Sequence, residues 1–284
     1  TWKPHERKTT HERGEMMIIE KLDGTIIETE QYGIKLLTHS ISSPSVRVVT
    51  EEIDGRDGYV EVGATYDGRK IRASFFMRAV DRHDFPLLRN EVFRIFSTKE
   101  LFYFHEPNQK RRWLVRSNGF EIEKYPPRIG TFEIEFSSPS PYAESVGTTL
   151  DPLTFDSKLW QIGQGLAGDD DMIYTHSTPS FKIYNAGDVT IDPRVLPLKI
   201  TFTGASTNLK ITNQTTGEAW QYTGTTQAGD TITLDGVRSL KNGVSIFANT
   251  NRKLITIAPG WNYFTLNGAN GSFTITFDFR FYYI

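Results

Sequence analysis

The chain has 284 residues, and its 32 Lys and Arg against 34 Asp and Glu give a net charge of −2 at neutral pH. This balance excludes a nucleic-acid binder that works through a basic surface, because counterion release needs an excess of cations. The absence of cysteine excludes disulfides, thiol nucleophiles and metal sites built on cysteine. Since no apolar run is long enough to span a bilayer and the N-terminus lacks a recognisable secretory signal, we expect no membrane insertion.

The composition changes abruptly along the chain. The first 145 residues hold 22 Lys and Arg with 23 Asp and Glu, whereas the remaining 139 residues hold only 10 and 11. A Ser- and Pro-rich stretch at residues 137–141 lies just before this change, where a strand is expected to stop. We therefore predict two domains, residues 15–145 and 146–284, preceded by a polar N-terminal arm at residues 1–14.

The predicted N-terminal arm alternates charges and has no apolar periodicity, so by itself it is expected to be disordered. Strand candidates follow at 17–19 and 25–27, on either side of Asp23-Gly24, a pair typical of a tight hairpin turn. A second hairpin is predicted from residues 59–64 and 71–77, which flank Asp67-Gly68.

One helix is predicted after these strands. Asp84 is a suitable N-cap and Pro86 suits the first turn. The apolar stripe has helical spacing and is formed by Leu88, Val92, Ile95 and Phe96. Further strands are predicted at 101–105, 112–116, 120–123 and 131–136. Residues 15–145 are therefore expected to form an α+β domain, in which antiparallel strands carry one helix.

The second segment has strand candidates about every 8 to 12 residues and no helical period, as is typical of an all-β sandwich. Asn267-Gly268 is expected to be a turn between strands at 263–266 and 272–283. The last of these strands alternates aromatic with polar residues, which predicts one buried face. We predict a β-sandwich of jelly-roll type, so the whole protein is expected to be mainly β.

The sequence carries no complete catalytic or metal-binding motif. His5 and His11 lack the spacing of a metalloprotease helix, and residues 169–171, three aspartates, lack the alternation and distal glutamate of a calcium loop. Glu133 and Glu135 share one strand face, which alternates with apolar residues and is interpreted as the solvent side of a strand, whereas paired acid catalysis needs two carboxyl groups that converge across a cleft. We therefore expect no metal, no cofactor, no catalytic residue and no enzymatic activity.

The cluster Lys110, Arg111 and Arg112, next to Trp113, is the one concentration of basic residues. It is interpreted either as a polar loop leading into a strand or as a contact with a neighbouring subunit. A nucleic-acid contact is disfavoured, because the surrounding segment is neutral overall.

Trp220, Tyr222, Trp261 and Tyr263 form an aromatic set in the second segment. Sugars stack their apolar faces on exposed aromatic rings, so these four residues are candidates for carbohydrate contact. The alternative is that they pack in the core and at the rim of the sandwich.

The order of these elements resembles the siphophage distal tail proteins, the Dit family. The resemblance rests on the Gly-Arg-Asp-Gly loop within residues 52–59, the strand at 71–75, the helix at 84–96 and the closing run at 132–142. In the second segment it rests on two runs, 185–189 and the aromatic 277–283.

The resemblance implies a structural virion protein at the tip of a long non-contractile tail. Its N-terminal domains would form a homohexameric ring that continues the tail tube, and its C-terminal sandwich would be galectin-like. The partners it implies are other copies of the chain, the tail tube protein, a tail-associated hub protein and a receptor-binding or upper baseplate protein.

The same resemblance implies that the protein is assembled in the host bacterial cytoplasm and then resides in the virion, with no sequence-specific nucleic-acid partner. Two alternative functions remain open from the residues alone: recognition of host cell-wall sugars through the C-terminal sandwich, and a β-sandwich enzyme such as a glycosidase or wall hydrolase.

Overall fold

The computed structural model describes residues 17–125, 127–154, 157, 159–161, 163–166 and 172–284. The chain divides into two compact units, with the break between Ala143 and Glu144. The N-terminal arm, predicted for residues 1–14, lies outside the described residues. Each unit is described by itself below.

The described part of the N-terminal unit contains one α-helix, α1 (Phe85–Phe96), which confirms the predicted helix. The strands have the following bounds: β1 (Ile18–Lys21), β2 (Ile26–Glu28), β3 (Ile34–Ile41), β4 (Val46–Glu51), β5 (Val60–Tyr66), β6 (Arg69–Arg78), β7 (Phe102–His105), β8 (Arg111–Ser117), β9 (Ile122–Tyr125) and β10 (Ile129–Ser138). An eleventh short strand, β11 (Ala143–Ser145), includes the break between the units.

One antiparallel sheet organises this unit, in the order β2-β1-β7-β8-β10-β6-β3, with β9 added on β10. Strands β4 and β5 pair only with each other and form a separate two-stranded hairpin. The architecture is the predicted one, antiparallel strands with a single helix.

The core of the N-terminal unit lies between the sheet and helix α1. Alternate residues of β6 are buried, as the alternation in the sequence predicts, and Phe75 stacks on Phe132 of β10 with 4.9 Å between ring centroids. Helix α1 contributes Val92 and Phe96, whose ring lies 5.1 Å from Phe75. These aromatic contacts bury the helix stripe against one sheet face, which is why the helix forms where it does.

Of the two predicted hairpins, one is confirmed and one is wrong. Strands β1 and β2 pair antiparallel around Asp23-Gly24. Strand β5 does not pair with β6, because both edges of β6 are taken by β3 and β10. Gly68 allows two segments of the chain to approach closely, because a Cβ at this position would lie only 2.3 Å from the carbonyl oxygen of Ser138.

The C-terminal unit contains only strands and short 3-10 turns among its described residues. The strands are β12 (Thr175–His176), β13 (Ser180–Asn185), β14 (Leu198–Asn213), β15 (Glu218–Gln221), β16 (Thr225–Thr226), β17 (Thr231–Asp235), β18 (Arg238–Lys241), β19 (Val244–Ser245), β20 (Gly260–Phe279) and β21 (Tyr282–Tyr283).

Two long strands, β14 and β20, form the centre of this unit and pair along most of their length. The turn predicted at Asn267-Gly268 is therefore wrong, since β20 runs through it. The register shifts between Ser206 and Lys210, and Gly268 has a φ of +87° beside the backbone of Thr207. The glycine thus permits an irregularity within a continuous strand.

The two halves of β20 face each other across a core. The rings of Phe264 and Phe277, both on β20, lie 4.9 Å apart between centroids, and Phe181 of β13 contacts both. Because the long strands bend in this way, one hydrogen-bonded sheet supplies two packed layers. The predicted β-sandwich is confirmed.

Candidate functional site

The basic cluster at the start of β8 is partly a buried structural feature. The Arg112 side chain is 7% exposed, and its Nη1 donates to Oε2 of Glu20 on β1 at 2.6 Å. Its guanidinium group lies over the ring of Tyr103, 3.7 Å from the centroid. Arg112 therefore binds within its own chain, whereas Lys110 and Arg111 are half-buried and the subunit contact proposed for them stays a prediction.

His105 completes a three-residue polar cluster with Glu20 and Arg112. Strands β1, β7 and β8 are neighbours in the sheet, so these residues meet although they lie up to 92 positions apart. Nε2 of His105 is 2.8 Å from Oε2 of Glu20. An ionised carboxylate accepts hydrogen bonds only, so with Glu20 ionised Nε2 carries the proton.

Burial and hydrogen bonding act in opposite directions in this cluster. Burial alone would raise the pKa of Glu20, but the hydrogen bonds from Arg112 and His105 outweigh it and lower this pKa below 4.5. Burial lowers the pKa of His105 below its ordinary value of 6.5, despite the hydrogen bond with Glu20. At neutral pH the cluster is therefore a neutral histidine beside an ion pair.

Acidification is expected to destabilise the N-terminal unit over two successive pH ranges. As the pH falls below 6.5, unfolded His105 binds a proton before folded His105 does, so the free energy of unfolding decreases. The stability contributed by Glu20, present above pH 4.5, is lost as the pH falls below that value. Thermal unfolding of the whole chain as a function of pH would measure both effects. In the variant His105→Gln, the free energy of unfolding should depend less on pH just below 6.5. An unchanged pH dependence would contradict this assignment.

The aromatic set of the C-terminal unit separates into two pairs. Trp220 is 1% exposed and donates from Nε1 to Oγ of Ser239 at 3.2 Å, and Tyr222 is also buried. These two residues belong to the core, so the predicted carbohydrate contact is wrong for them in this fold. Trp261 is half-buried and Tyr263 is 54% exposed, so only this pair presents aromatic surface.

Trp261 and Tyr263 lie on the outer face of β20, opposite residues of β13 that the sequence analysis did not single out. The register places Tyr184 across from Trp261 and Lys182 across from Tyr263. Nζ of Lys182 lies 4.1 Å from the Trp261 ring centroid, and the ring of Tyr184 is 4.8 Å away. The face is therefore a ladder of aromatic rings with one cation, and the Lys-Ile-Tyr alternation of β13 was the signal available for it.

Only one strand of the β4–β5 hairpin, β5, was predicted from the sequence. No strand was predicted at β4, although the run Val46-Arg47-Val48-Val49-Thr50 is rich in β-branched residues. Every residue of β4 is exposed, and so is every residue of β5 except Val60. An exposed strand pair of this kind is typical of an assembly surface.

No group of three or more His, Asp or Glu residues among the described residues could hold a metal ion. His5, His11 and residues 169–171, which the sequence analysis considered as ligands, lie outside that part of the chain. No helix that the structure describes is both long and apolar enough to cross a bilayer.

Part of the N-terminal unit is similar in sequence to a known phage tail domain. Residues 27–138 match the family model of the phage tail protein RIFT-related domain. This stretch contains most of the strands and the helix of the N-terminal unit, and it is similar to that domain. A search of curated protein sequences finds no match.

The whole fold is similar to that of one particular tail protein, the Dit protein of phage SPP1. The crystal structure of SPP1 Dit, described as a paradigm of the hub adsorption apparatus of phages that infect Gram-positive bacteria, superposes with a TM-score of 0.65 at 14% identity. The match covers 93% of this chain and 99% of that chain. A chain of the phage p2 baseplate in its activated conformation also matches, with a TM-score of 0.45 at 10% identity over 94% and 97% of the two chains. The resemblance to distal tail proteins is confirmed.

Proposed function

We propose that this protein is the distal tail hub of a phage with a long non-contractile tail. In this role it joins the tail tube to the tail tip or baseplate. The observation that carries the proposal is the similarity to SPP1 Dit, which extends over both units and nearly the whole length of each chain. The match of residues 27–138 to a phage tail domain supports it independently, because it comes from the sequence.

The proposed assembly is a hexameric ring of identical chains. The N-terminal sheet ends at β3 on one side and at β2 on the other, and the described residues pair no further strand with either edge. Exposed strand edges are open to pairing with another chain, and ring subunits provide that chain. In this proposal the N-terminal units form the ring and contact the tail tube protein and a tail-associated hub protein.

The C-terminal unit is proposed to carry a receptor-binding or upper baseplate protein. The ladder of Lys182, Tyr184, Trp261 and Tyr263 offers aromatic surface, and aromatic residues are enriched in protein interfaces. Recognition of cell-wall sugars is not favoured, because Trp220 and Tyr222 are buried. The role proposed is structural rather than enzymatic.

A ring through which DNA passes should not hold the DNA tightly. The chain has a net charge of −2, so it supplies no overall excess of cations for counterion release. We propose that DNA is not bound in a sequence-specific way, that the protein resides at the tail tip of the virion, and that it is assembled in the host cytoplasm.

Negative-stain imaging of the purified full-length chain tests this proposal. We expect ring-shaped particles with six-fold symmetry, because six copies must close around the tail axis. Sedimentation at increasing concentration would measure the mass of the same species. A chain that stays monomeric at high concentration and in the presence of its tail tube protein would contradict the proposed hub.

A further inference from the structure

An open cavity of about 600 Å³ in the C-terminal unit is lined by strand β15 and by a loop, residues 251–256, which we call the basic loop. A cavity of this size is in the range of sites for small molecules. Its lining holds three cations, Arg194, Arg252 and Lys253, against one carboxylate, Glu218, which gives a net charge of +2. The described lining residues include no aromatic ring, so the cavity suits an anion rather than the apolar face of a sugar.

Two of these cations are left without an ionic partner among the described residues. Arg194 is already paired, because its Nη2 lies 2.6 Å from Oδ2 of Asp192. Arg252 and Lys253 are exposed, and neither forms an ion pair within the described part of the chain. The guanidinium group of Arg252 lies over the ring of Phe247, 5.8 Å from its centroid. A ligand that enters the cavity would therefore meet two uncompensated positive charges.

The backbone of Arg252 has an unusual conformation for its residue type. Four non-glycine residues that the structure describes have a positive φ: Asn108, Asn208, Asn242 and Arg252. Asparagine tolerates the left-handed region, whereas most other L-residues rarely enter it. Arg252, with a φ of +58°, is the exception in this set. Residues held in such a conformation are concentrated at functional sites, which indicates a role for this side chain.

The conformation of Arg252 also explains how two consecutive residues line one cavity. In an extended chain, successive side chains point to opposite sides. The left-handed conformation at Arg252 interrupts that alternation, and both Arg252 and Lys253 line the cavity. The unusual backbone thus brings two positive charges to one site.

Side chains of neighbouring strands hold the basic loop in place. At its start, Nδ2 of Asn251 donates to the carbonyl oxygen of Ala219 at 2.8 Å. At its end, Oε2 of Glu218 accepts from the N–H and the hydroxyl of Thr256 at 2.7 and 2.6 Å. Nδ2 of Asn213 donates to the carbonyl oxygen of Thr256 at 2.8 Å. The loop is therefore fixed at both ends before a ligand binds, which lowers the entropic cost of binding.

We propose that this cavity binds a phosphate group that carries up to two negative charges, either in a phosphomonoester or as free phosphate. The two unpaired cations match that charge, and the guanidinium group of Arg252 offers paired N–H donors to two phosphate oxygens. A carboxylate has one charge and two oxygens, so it satisfies the same cations less well. The volume leaves room for the organic part of a phosphomonoester. The site lies within one C-terminal unit, so this inference does not depend on the proposed ring.

Calorimetric titration of the full-length chain with glycerol 3-phosphate tests the site. We expect saturable binding to the unmodified chain, and binding about a hundredfold weaker to the variant that carries Arg252→Gly and Lys253→Ala, because two charge-assisted contacts are lost. Glycine suits the left-handed conformation, so the melting temperature of this variant should not fall. The matched control, Lys199→Ala with Lys210→Ala, removes two exposed cations of the same unit outside the cavity and should bind as the unmodified chain does.

Two further titrations define the ligand. Glycerate, which carries a carboxylate instead of a phosphate, should bind at least about tenfold more weakly, since it has one negative charge fewer. Inorganic phosphate distinguishes the two sources: weaker binding than glycerol 3-phosphate supports a phosphomonoester site, and equal or tighter binding supports a site for free phosphate. The inference is overturned if neither phosphate compound binds, if the double variant binds as well as the unmodified chain, or if glycerate binds equally well.

Discussion

Replacing Trp220 with alanine is expected to destabilise the C-terminal unit by about 3–5 kcal/mol, the usual cost of removing a large buried aromatic side chain. Trp220 is 1% exposed, and its indole N–H donates to the buried hydroxyl of Ser239. The variant removes the ring contacts and leaves that hydroxyl without its donor. Calorimetry of the full-length chain would measure the loss as a fall in one of its unfolding transitions.

Tyr263→Ala is the matched control for this prediction. Tyr263 comes from the same aromatic set but is 54% exposed, so its loss should change the free energy of unfolding by no more than about 0.5 kcal/mol. Equal effects of the two substitutions would contradict the packing described for β15 and β20. The comparison also bears on function, because a residue that holds the core together is not available to stack on a ligand.

Arg112→Met is expected to destabilise the N-terminal unit by about 3 kcal/mol. Removing one partner of a buried ion pair leaves the other charge uncompensated, at a usual cost of about 3–5 kcal/mol. We expect the lower end of that range because the Glu20 side chain is 21% exposed and keeps some contact with water. For a unit of this size the unfolding temperature should fall by roughly 10 °C, measured by calorimetry.

Two further variants define what the Arg112 result means. Arg94→Met removes an exposed ion pair with Glu91 on helix α1 and should cost at most about 0.5 kcal/mol. Combining Glu20→Gln with Arg112→Met should recover part of the lost stability, since no charge is then left unpaired. If the double variant is as unstable as Arg112→Met alone, the ion pair is not the source of the effect.

Local patterns in the sequence were sufficient for several elements. Helix α1 was predictable because an N-cap candidate, Asp84, a first-turn proline and an apolar stripe coincide within thirteen residues. The β1–β2 hairpin was predictable because Asp23-Gly24 sits between two short apolar runs that pair directly. In both cases the interacting residues are neighbours along the chain.

Pairing between distant strands was beyond those patterns. The alternation in β6 predicts a buried face, yet nothing local says that its partners are β3 and β10 rather than β5. Asp67-Gly68 has the composition of a hairpin turn, but the glycine is needed where the backbone meets Ser138, seventy residues later. Turn residues indicate a local backbone conformation. They indicate strand pairing only when the two paired strands are adjacent along the chain.

For the candidate sites, too, the sequence indicated the residue types, and contacts between distant residues decided their partners and burial. The sequence placed Arg112 in a basic cluster, but its partner, Glu20, is 92 positions away and only the order of β1, β7 and β8 brings the two together. Trp220 and Trp261 look alike in the sequence, and burial in the fold separates them. The pairing of β4 with β5 was not predictable, because a β-branched run indicates a strand but not the partner of that strand.

The sequence by itself determined that this protein is mainly β with one helix, that its charged residues are concentrated before residue 145, and that cysteine chemistry is absent. The tertiary structure decided which strands pair, which aromatic and basic residues are buried, and which hairpin is left exposed. The physical reason is that side-chain period and turn propensity are properties of neighbouring residues. Strand partners and burial depend instead on contacts between residues far apart in the chain.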